Sequence, residues 1–510
     1  MKRFLALALS LLMILGVLLM AGCDTDTSKN TTGSSNKPSG TSSSSSSSSS
    51  TTSSSEDDKP VQPTGKEKMP GYEDVDFGGA TFTIVGADGE SDGFNSAKEI
   101  YSEESDAISV AVRERNQWIE SLYNCTIKGV ASPTPASDAM TEVTSNLHTI
   151  DLYTHHYSID GTAKDGKVYN LFDLGSRDID FSKPWWDQKF VDTYTVKKTN
   201  GTETLYSIVG DFALTTFDCT HALVYNKTVF QNDSDVNHLN LYQLVRDKKW
   251  TMDQFQFIVK NVVNDADGNS TIDSQTGDVA GWIRTSHASH GMHVASGLPI
   301  MKNTDGVFTF EVDKNTESWT NVVNKAAEIW AMPEGQTISY SVIPETLAGG
   351  FACFASEILG SALVNLADFD AEIGILPYPL YSETQENYAH YVDNHVYVYS
   401  VPTSVSEIEA MGDFLAIYAY HSTYLVRPVY ISVYAYDYCS DEESAEMLGI
   451  ILDTMTYDAG YLCNGGSLES DITNMIQTNN NQIAQFAAKR AATANTWISN
   501  YVAGIDDNND

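Results

Sequence analysis

Basic residues are scarce in this chain. Its 510 residues include 30 Lys and Arg against 68 Asp and Glu, a formal charge of −38. A nucleic-acid binder needs a basic face to neutralise phosphates, so that class is excluded. Cysteine is scarce too, at six residues. With Cys23 set aside as the residue that closes the leader, Cys125, Cys219, Cys353, Cys439 and Cys463 remain, an odd number that cannot all pair internally. No CxxC occurs, so a thiolate zinc site has no spacing to build on. GxSxG, HExxH, Walker A and GxGxxG are likewise absent, which removes the commonest hydrolase, metalloprotease and nucleotide-binding fingerprints. Beyond the first twenty or so residues there is no run of about 18 apolar residues, so no later segment is expected to span a bilayer.

What is present is enough to build a core. Hydrophobic residues make up 42% and charged ones 19%, unlike a disordered acidic tail. At about 150 residues per domain, the length accommodates two to four lobes. The 27 Tyr, 8 Trp and 19 Phe are a heavy aromatic load, of a kind that fills cores and also lines ligand clefts.

The N-terminus reads as an export signal over 1–22. Lys2 and Arg3 precede an apolar run, Phe4 to Met20, too short to span comfortably. It ends in Leu19-Met20-Ala21-Gly22-Cys23, which resembles a bacterial lipobox with Cys23 as the lipidated residue; the alternative is an ordinary signal with a chance cysteine. Residues 23–69 are Ser/Thr-rich, with Ser42 to Ser50 unbroken, and cannot bury apolar area. They read as a flexible tether.

From residue 70 the pattern alternates between strand and helix. Thr81 to Val85 alternates and stops at Gly86, and Ile108, Ala111, Val112, Ile119 and Leu122 share one helical face. Further strands are expected at 125–130, 151–153, 221–225, 372–376 and 394–401, with a helix over 405–420. Such alternation predicts α/β lobes with largely parallel sheets.

Eight short motifs follow one another along this part, beginning with Phe77-Gly78-Gly79-Ala80-Thr81-Phe82 and Arg113-Glu114-Arg115-Asn116. Lys183-Pro184-Trp185-Trp186-Asp187, Gly210-Asp211, Val224-Tyr225-Asn226-Lys227 and Lys249-Trp250-Thr251-Met252-Asp253 follow in order. Gly374-Ile375-Leu376-Pro377-Tyr378-Pro379 and Arg427-Pro428 complete the series. Their order resembles the family-1 extracellular solute-binding proteins, the maltose-binding-like sugar-capturing lipoproteins of bacterial ABC importers. The likeness spans about 70 to 470, and the stretch after Gly465 has no counterpart. It implies a periplasmic-binding-protein-like fold of type II: two discontinuous α/β lobes, a hinge and an interlobe cleft. Lobe 1 would comprise 70–208 with 376–428, and lobe 2 would comprise 209–375 with 429–510. Crossings are expected near 206–211, 372–377 and 424–430. It also implies a monomeric binding protein on the outer face of the cytoplasmic membrane, held there by lipid alone. That protein would pass a carbohydrate, an oligosaccharide by preference, to an ABC permease without catalysis or a catalytic cofactor. A secreted glycoside hydrolase or a non-transport glycan-binding lipoprotein is the alternative.

Ligand contacts are expected at strand ends. Asp88 and Glu90 follow the first strand and are either hydroxyl acceptors or a solvated acidic loop. Tyr153, His155, His156 and Tyr157 end the third strand. Trp185, Trp186 and Asp187 offer indole faces and a carboxylate, with at most one Trp expected in the cleft. Asp218 and Thr220 lead into the second lobe, the resemblance adds Ser286 and His287, and Glu357 and Asn394 are inferred from position alone. His287, His290 and His293, spaced by three, share a helical face that can hold a transition metal, although Gly291 and the lack of a carboxylate between 284 and 297 oppose that reading.

One loop reads as a structural calcium site. Asp265, Asp267, Asn269, the Thr271 carbonyl and Asp273 occupy the alternating oxygen positions of an EF-hand loop. Ser270 replaces its turn glycine, Thr276 stands at the twelfth position, and Asp278 serves as a displaced closing acid. A polar turn without metal is the alternative.

Overall fold

A computed structural model describes residues 63–510, except 91–92, 157–164, 368, 394, 439–440, 462–466 and 508–510. The leader, Cys23 and most of the tether therefore lie outside the described residues, as do Tyr157, Asn394, Cys439 and Cys463. Cys125, Cys219 and Cys353 are all buried, as their apolar surroundings suggest.

Two mixed sheets organise the chain. In the first, Ala80–Ala87 runs parallel to Cys125–Ser132, with Ala80 opposite Cys125 and Ala87 opposite Ser132. Leu152–His156 joins its other side in parallel, and Tyr397–Ser400 closes that edge antiparallel, with Tyr397 opposite His156. The intervening helix Ala107–Tyr123 starts at Asp106, which accepts from the Ser109 amide at 2.9 Å, and stops at Asn124 in a left-handed conformation (φ 53°). Asparagine tolerates that conformation and so serves as the helix stop. Its buried face carries Ala111, Val112, Ile119 and Tyr123, which continues the periodicity read from sequence.

The second sheet has the order Gly335–Thr337, Ala280–Arg284, Ala352–Ile358, His221–Asn226, Ile373–Leu376. The first three strands are mutually parallel, whereas His221–Asn226 is antiparallel to both its neighbours. The sheets are therefore mixed, not largely parallel. Strands that enter from the opposite sheet, such as 221–226 and 397–400, arrive against the grain of the βαβ units. Alternation along the sequence does not encode their direction.

The chain leaves the first sheet after Leu152–His156, builds the second sheet, and returns to the first at Tyr397–Ser400. Ile208 exchanges both backbone hydrogen bonds with Tyr399, at 2.9 and 3.0 Å. Arg427 lies 3.2 Å from Asp211 and 3.1 Å from Asp453. Ile373–Leu376, expected near a crossing, is the edge of the second sheet. Beneath that sheet Trp250, Phe255, Trp282 and Phe354 form an aromatic core with edge-on contacts at 5.4 Å from Phe255 to both Trp282 and Phe354. Both indole N–H groups are satisfied: Trp282 donates to Ser356 Oγ and Trp250 to the Pro377 carbonyl, each at 2.8 Å.

The C-terminal stretch without counterpart folds as two helices, Ser467–Gln477 and Ile483–Asp506. The first buries Leu468, Ile472 and Ile476, and the second Ile483, Phe486, Ala494, Tyr501 and Ile505. Phe310 and Phe308 of the hairpin 301–310 lie against Phe486 and Tyr501 of the last helix.

Candidate functional site

The segment after the first strand (93–109), the lead-in to 221–226, the helix after 352–358 and the stretch 430–434 converge on an open cleft of about 510 Å³. Its walls carry Phe94, Asn95, Lys98 and Glu99 on one side, and Thr215, Asp218, Tyr340, Gly360, Tyr430 and Tyr434 on the other.

Local chemistry sets the first wall. Gly86 faces the short helix Ala97–Ile100 so closely that a Cβ would sit 2.7 Å from the Ala97 backbone. Glycine there lets the helix lie against the strand. The loop between is clipped: Ser96 Oγ accepts from the Ala87 amide at 2.8 Å, and Asn95 donates to the Asp88 carbonyl at 2.8 Å. The helix thereby delivers Glu99 to the cleft floor, where Oε1 accepts from Tyr399 at 2.6 Å and Oε2 from the Thr215 amide at 2.8 Å. Burial pushes this carboxyl up to about 8, against those hydrogen bonds.

On the second wall Asp218 Oδ1 accepts from Tyr430 at 2.8 Å and also from Tyr434. The two tyrosine rings stack at 4.1 Å. Burial raises the Asp218 pKa, and the two phenols oppose it. Glu357 ends its strand buried, with Oε1 accepting from the Ile358 amide at 3.1 Å, and burial moves it up to about 7. Asp393 behaves oppositely. Burial would raise it, but hydrogen bonds from His221 (3.4 Å) and His395 (2.5 Å) outweigh that and hold it well below the usual carboxylate range. His395 lies 6.1 Å from both Phe94 and His156, so this acid–histidine group adjoins the cleft mouth.

The residues singled out from sequence fall in different places. Asp218 lines the cleft, and Glu357 lies behind that wall beside Tyr340 and Asn365. His156 is exposed and stacks on Tyr397 at 4.5 Å. Its neighbour His155 points inward, 2.9 Å from Ser400 Oγ and 3.2 Å from Ser207 Oγ, and burial lowers it to about 4. Tyr153 is fully buried in a small cluster with Val85 and Ala139. Asp88 accepts from the Glu90 amide at 3.0 Å in a turn, with Glu90 exposed. Trp185 and Trp186 are both buried, Trp185 edge-on to Tyr420 and Trp186 donating to the Asp180 carbonyl at 3.1 Å. Asp187 caps the helix Gln188–Tyr194 through the Lys189 and Phe190 amides and accepts from Tyr457 at 2.8 Å. Thr220 is buried and donates to the Thr216 carbonyl. The Ser286 carbonyl accepts from Ser289 and Gln477, and His287, lowered by burial, begins the helix Ala288–Val294. In that helix His290 pairs with Glu469 and His293 is fully buried, so the three histidines have different surroundings. Phe94, Asn95, Glu99, Tyr340, Tyr430 and Tyr434 were not anticipated. The residue types gave no signal, since aromatic and acidic side chains recur along the whole chain.

The 265–278 loop has the turn that its sequence put in doubt: Ser270 is left-handed, with φ 65°. Asp265 accepts from the Gly268, Asn269 and Ser270 amides, the last at 2.7 Å. Asp278 is buried and accepts from Ala266 and Asp273, both at 2.9 Å. Asp265, Asp267 and Asp278 each bring a carboxylate oxygen within 4.8 Å of the others. Ile272 packs against the core, while Asp273 accepts from the Gln275 amide and Asn269 from the Thr271 amide.

The raised acids make stability depend on pH. Glu99 keeps its proton to about 8 when folded, against 4.5 as its ordinary value. Between those limits the folded chain binds the extra proton, so stability falls as pH rises. Glu357 and Asp458, both near 7, act in the same direction over a narrower range. Burial lowers His155 and His421 to about 4 and His293 and His390 to about 3, from 6.5. Their contribution is lost only as pH falls below 6.5. Raising pH from 6.5 to 8 is therefore expected to lower the melting temperature, with each acid contributing at most about 1.4 kcal/mol per pH unit. Glu99→Gln should flatten the slope; an unchanged slope in calorimetry would show that Glu99 is not the group responsible.

No known protein family's profile matches the sequence, and no curated protein matches it. Solved structures do match. The galacto-N-biose-/lacto-N-biose I-binding protein of the ABC transporter from Bifidobacterium longum, in complex with lacto-N-biose, superposes with a TM-score of 0.52 at 11% identity, over 84% of this chain and 98% of that one. A cyclo/maltodextrin-binding protein complexed with maltotetraose gives 0.51 at 11% identity, over 82% and 96%. The likeness is one of fold: this chain has the fold of the sugar-binding proteins that its motif order resembles.

Proposed function

We propose that the protein is the substrate-binding subunit of an ABC importer, capturing an oligosaccharide in the cleft and presenting it to the permease, without catalysis. The observation that carries this reading is the cleft wall on which Asp218 is held by the stacked Tyr430 and Tyr434. Aromatic faces and a few fixed polar groups in an open cleft are what a sugar needs for stacking and hydroxyl recognition. The fold shared with lacto-N-biose- and maltotetraose-binding proteins supports it. A thermal-shift panel of oligosaccharides tests it. A cognate sugar at 100 times its Kd should add about 2.7 kcal/mol of stability and generate no new reducing ends. Phe94→Ala should weaken binding several-fold to about tenfold through loss of an aromatic face. Product release by the purified protein would overturn the non-catalytic reading.

We further propose that Cys23 is lipidated and that the Ser-rich tether holds the folded part outside the membrane. The Leu19-Met20-Ala21-Gly22-Cys23 run supports this. Cys23→Ser should move the protein from the membrane fraction to the medium; retention in the membrane would argue against the anchor.

The 265–278 loop is proposed as a structural calcium site. The oxygens of Asp265, Asp267 and Asp278 converge, and the left-handed Ser270 supplies the required turn. With no bidentate twelfth ligand, affinity should be weak, on the order of 10⁻⁴–10⁻³ M. Millimolar calcium after chelation should raise the melting temperature of the wild type and not of Asp267→Ala. No shift in either would rule the site out.

A further inference from the structure

Resting on the oligosaccharide reading above, we propose that the cleft selects a glycan carrying a positive charge, an amine-bearing sugar, over its neutral counterparts. Lys98 is the one Lys or Arg among the described residues lining the cleft, and it pairs with Glu104 at 2.8 Å. Among the described residues the second wall has no such cation. Both phenols on Asp218 bind Oδ1, and among the described residues no hydrogen bond reaches Oδ2. Glu357 uses Oε1 for the Ile358 amide, whereas Oε2 is buried without a partner. It lines a small cavity with Tyr340 and Asn365, two residues that also line the cleft.

These two acids belong to adjoining stretches. The Leu359 amide donates to the Thr220 carbonyl at 2.9 Å, and a Cβ on Gly360 would sit 2.8 Å from Asp218 Cβ. Asp393, another acid nearby, has histidine partners, and Glu99 engages both of its oxygens with Tyr399 and the Thr215 amide, whereas Asp218 and Glu357 form no ion pair among the described residues. A sugar hydroxyl can donate one hydrogen bond to such a carboxylate but leaves its charge uncompensated, which is costly in a partly desolvated wall. An ammonium group supplies both the donors and the charge. The faces of Phe94 and Tyr340 add cation–π attraction, and the −38 charge of the chain draws cations toward it. The raised pKa of both acids fits carboxyls that lack a counter-ion.

Titration calorimetry on the purified full-length protein at pH 7 and low salt decides the matter. The probes are a glucosamine tetrasaccharide, its N-acetylated form and maltotetraose. The amine form should bind at least tenfold tighter than either neutral sugar, and the ratio should shrink with added salt. Asp218→Asn and Glu357→Gln should each cut the ratio at least fivefold, with ligand-free melting temperatures separating loss of recognition from loss of folding. Equal or tighter binding of a neutral sugar, or a ratio that neither substitution alters, overturns the charge preference and leaves the oligosaccharide reading standing. Failure of all three sugars to bind counts against both.

Discussion

The cleft depends on one buried carboxyl. Glu99 reaches from the short helix after the first strand to the Tyr399 hydroxyl and the Thr215 amide. It thereby joins the start of the first sheet, its returning edge strand and the segment that leads into the second sheet. Burying an ionised carboxylate without compensation is expensive, so the group holds its proton and meets its neighbours as a hydrogen-bonding acid. That arrangement requires the helix to lie on the strand, which requires the absence of a side chain at Gly86. The cleft floor is thus built from a polar contact, and the aromatic packing on either side surrounds it.

Three other acids near the cleft show how far partners decide what a carboxyl is. Asp393 is held ionised by two histidines, Asp218 is cradled by two phenols, and Glu357 has a single backbone amide. All three are substantially removed from water, so desolvation pushes in one direction in each case. Only for Asp393 do its partners overcome it. Acid is in excess over base along the chain, but these local differences give the cleft its chemistry.

The C-terminal helices illustrate a different division. Their sequence is rich in Asn and Ala and has no motif. Even so, Leu468, Ile472 and Ile476, and then Ile483, Phe486 and Tyr501, lie at helical spacing and are buried. Periodicity was sufficient to make the elements; what they cover, the 301–310 hairpin, follows from no local signal.

The sequence by itself determined the alternating elements, the acidic balance, the tendency of 265–273 to turn and the motif order that points to the fold. These are local or compositional properties, carried by period, by capping residues such as Asp106 and Asn124, and by side-chain class. It could also place residues at strand ends, but not say which side they face. His155 and His156 are adjacent and of the same type, yet the pleat sends one into a serine-lined interior and the other to the surface. Trp186 and Asp187 have the chemistry of a ligand site and serve as core and helix cap. Asp218 became a cleft residue only when Tyr430 and Tyr434, more than two hundred residues away, folded onto it. Burial and long-range pairing exist only in the folded chain, and they are what turn a carboxyl, a phenol or an indole into part of a site.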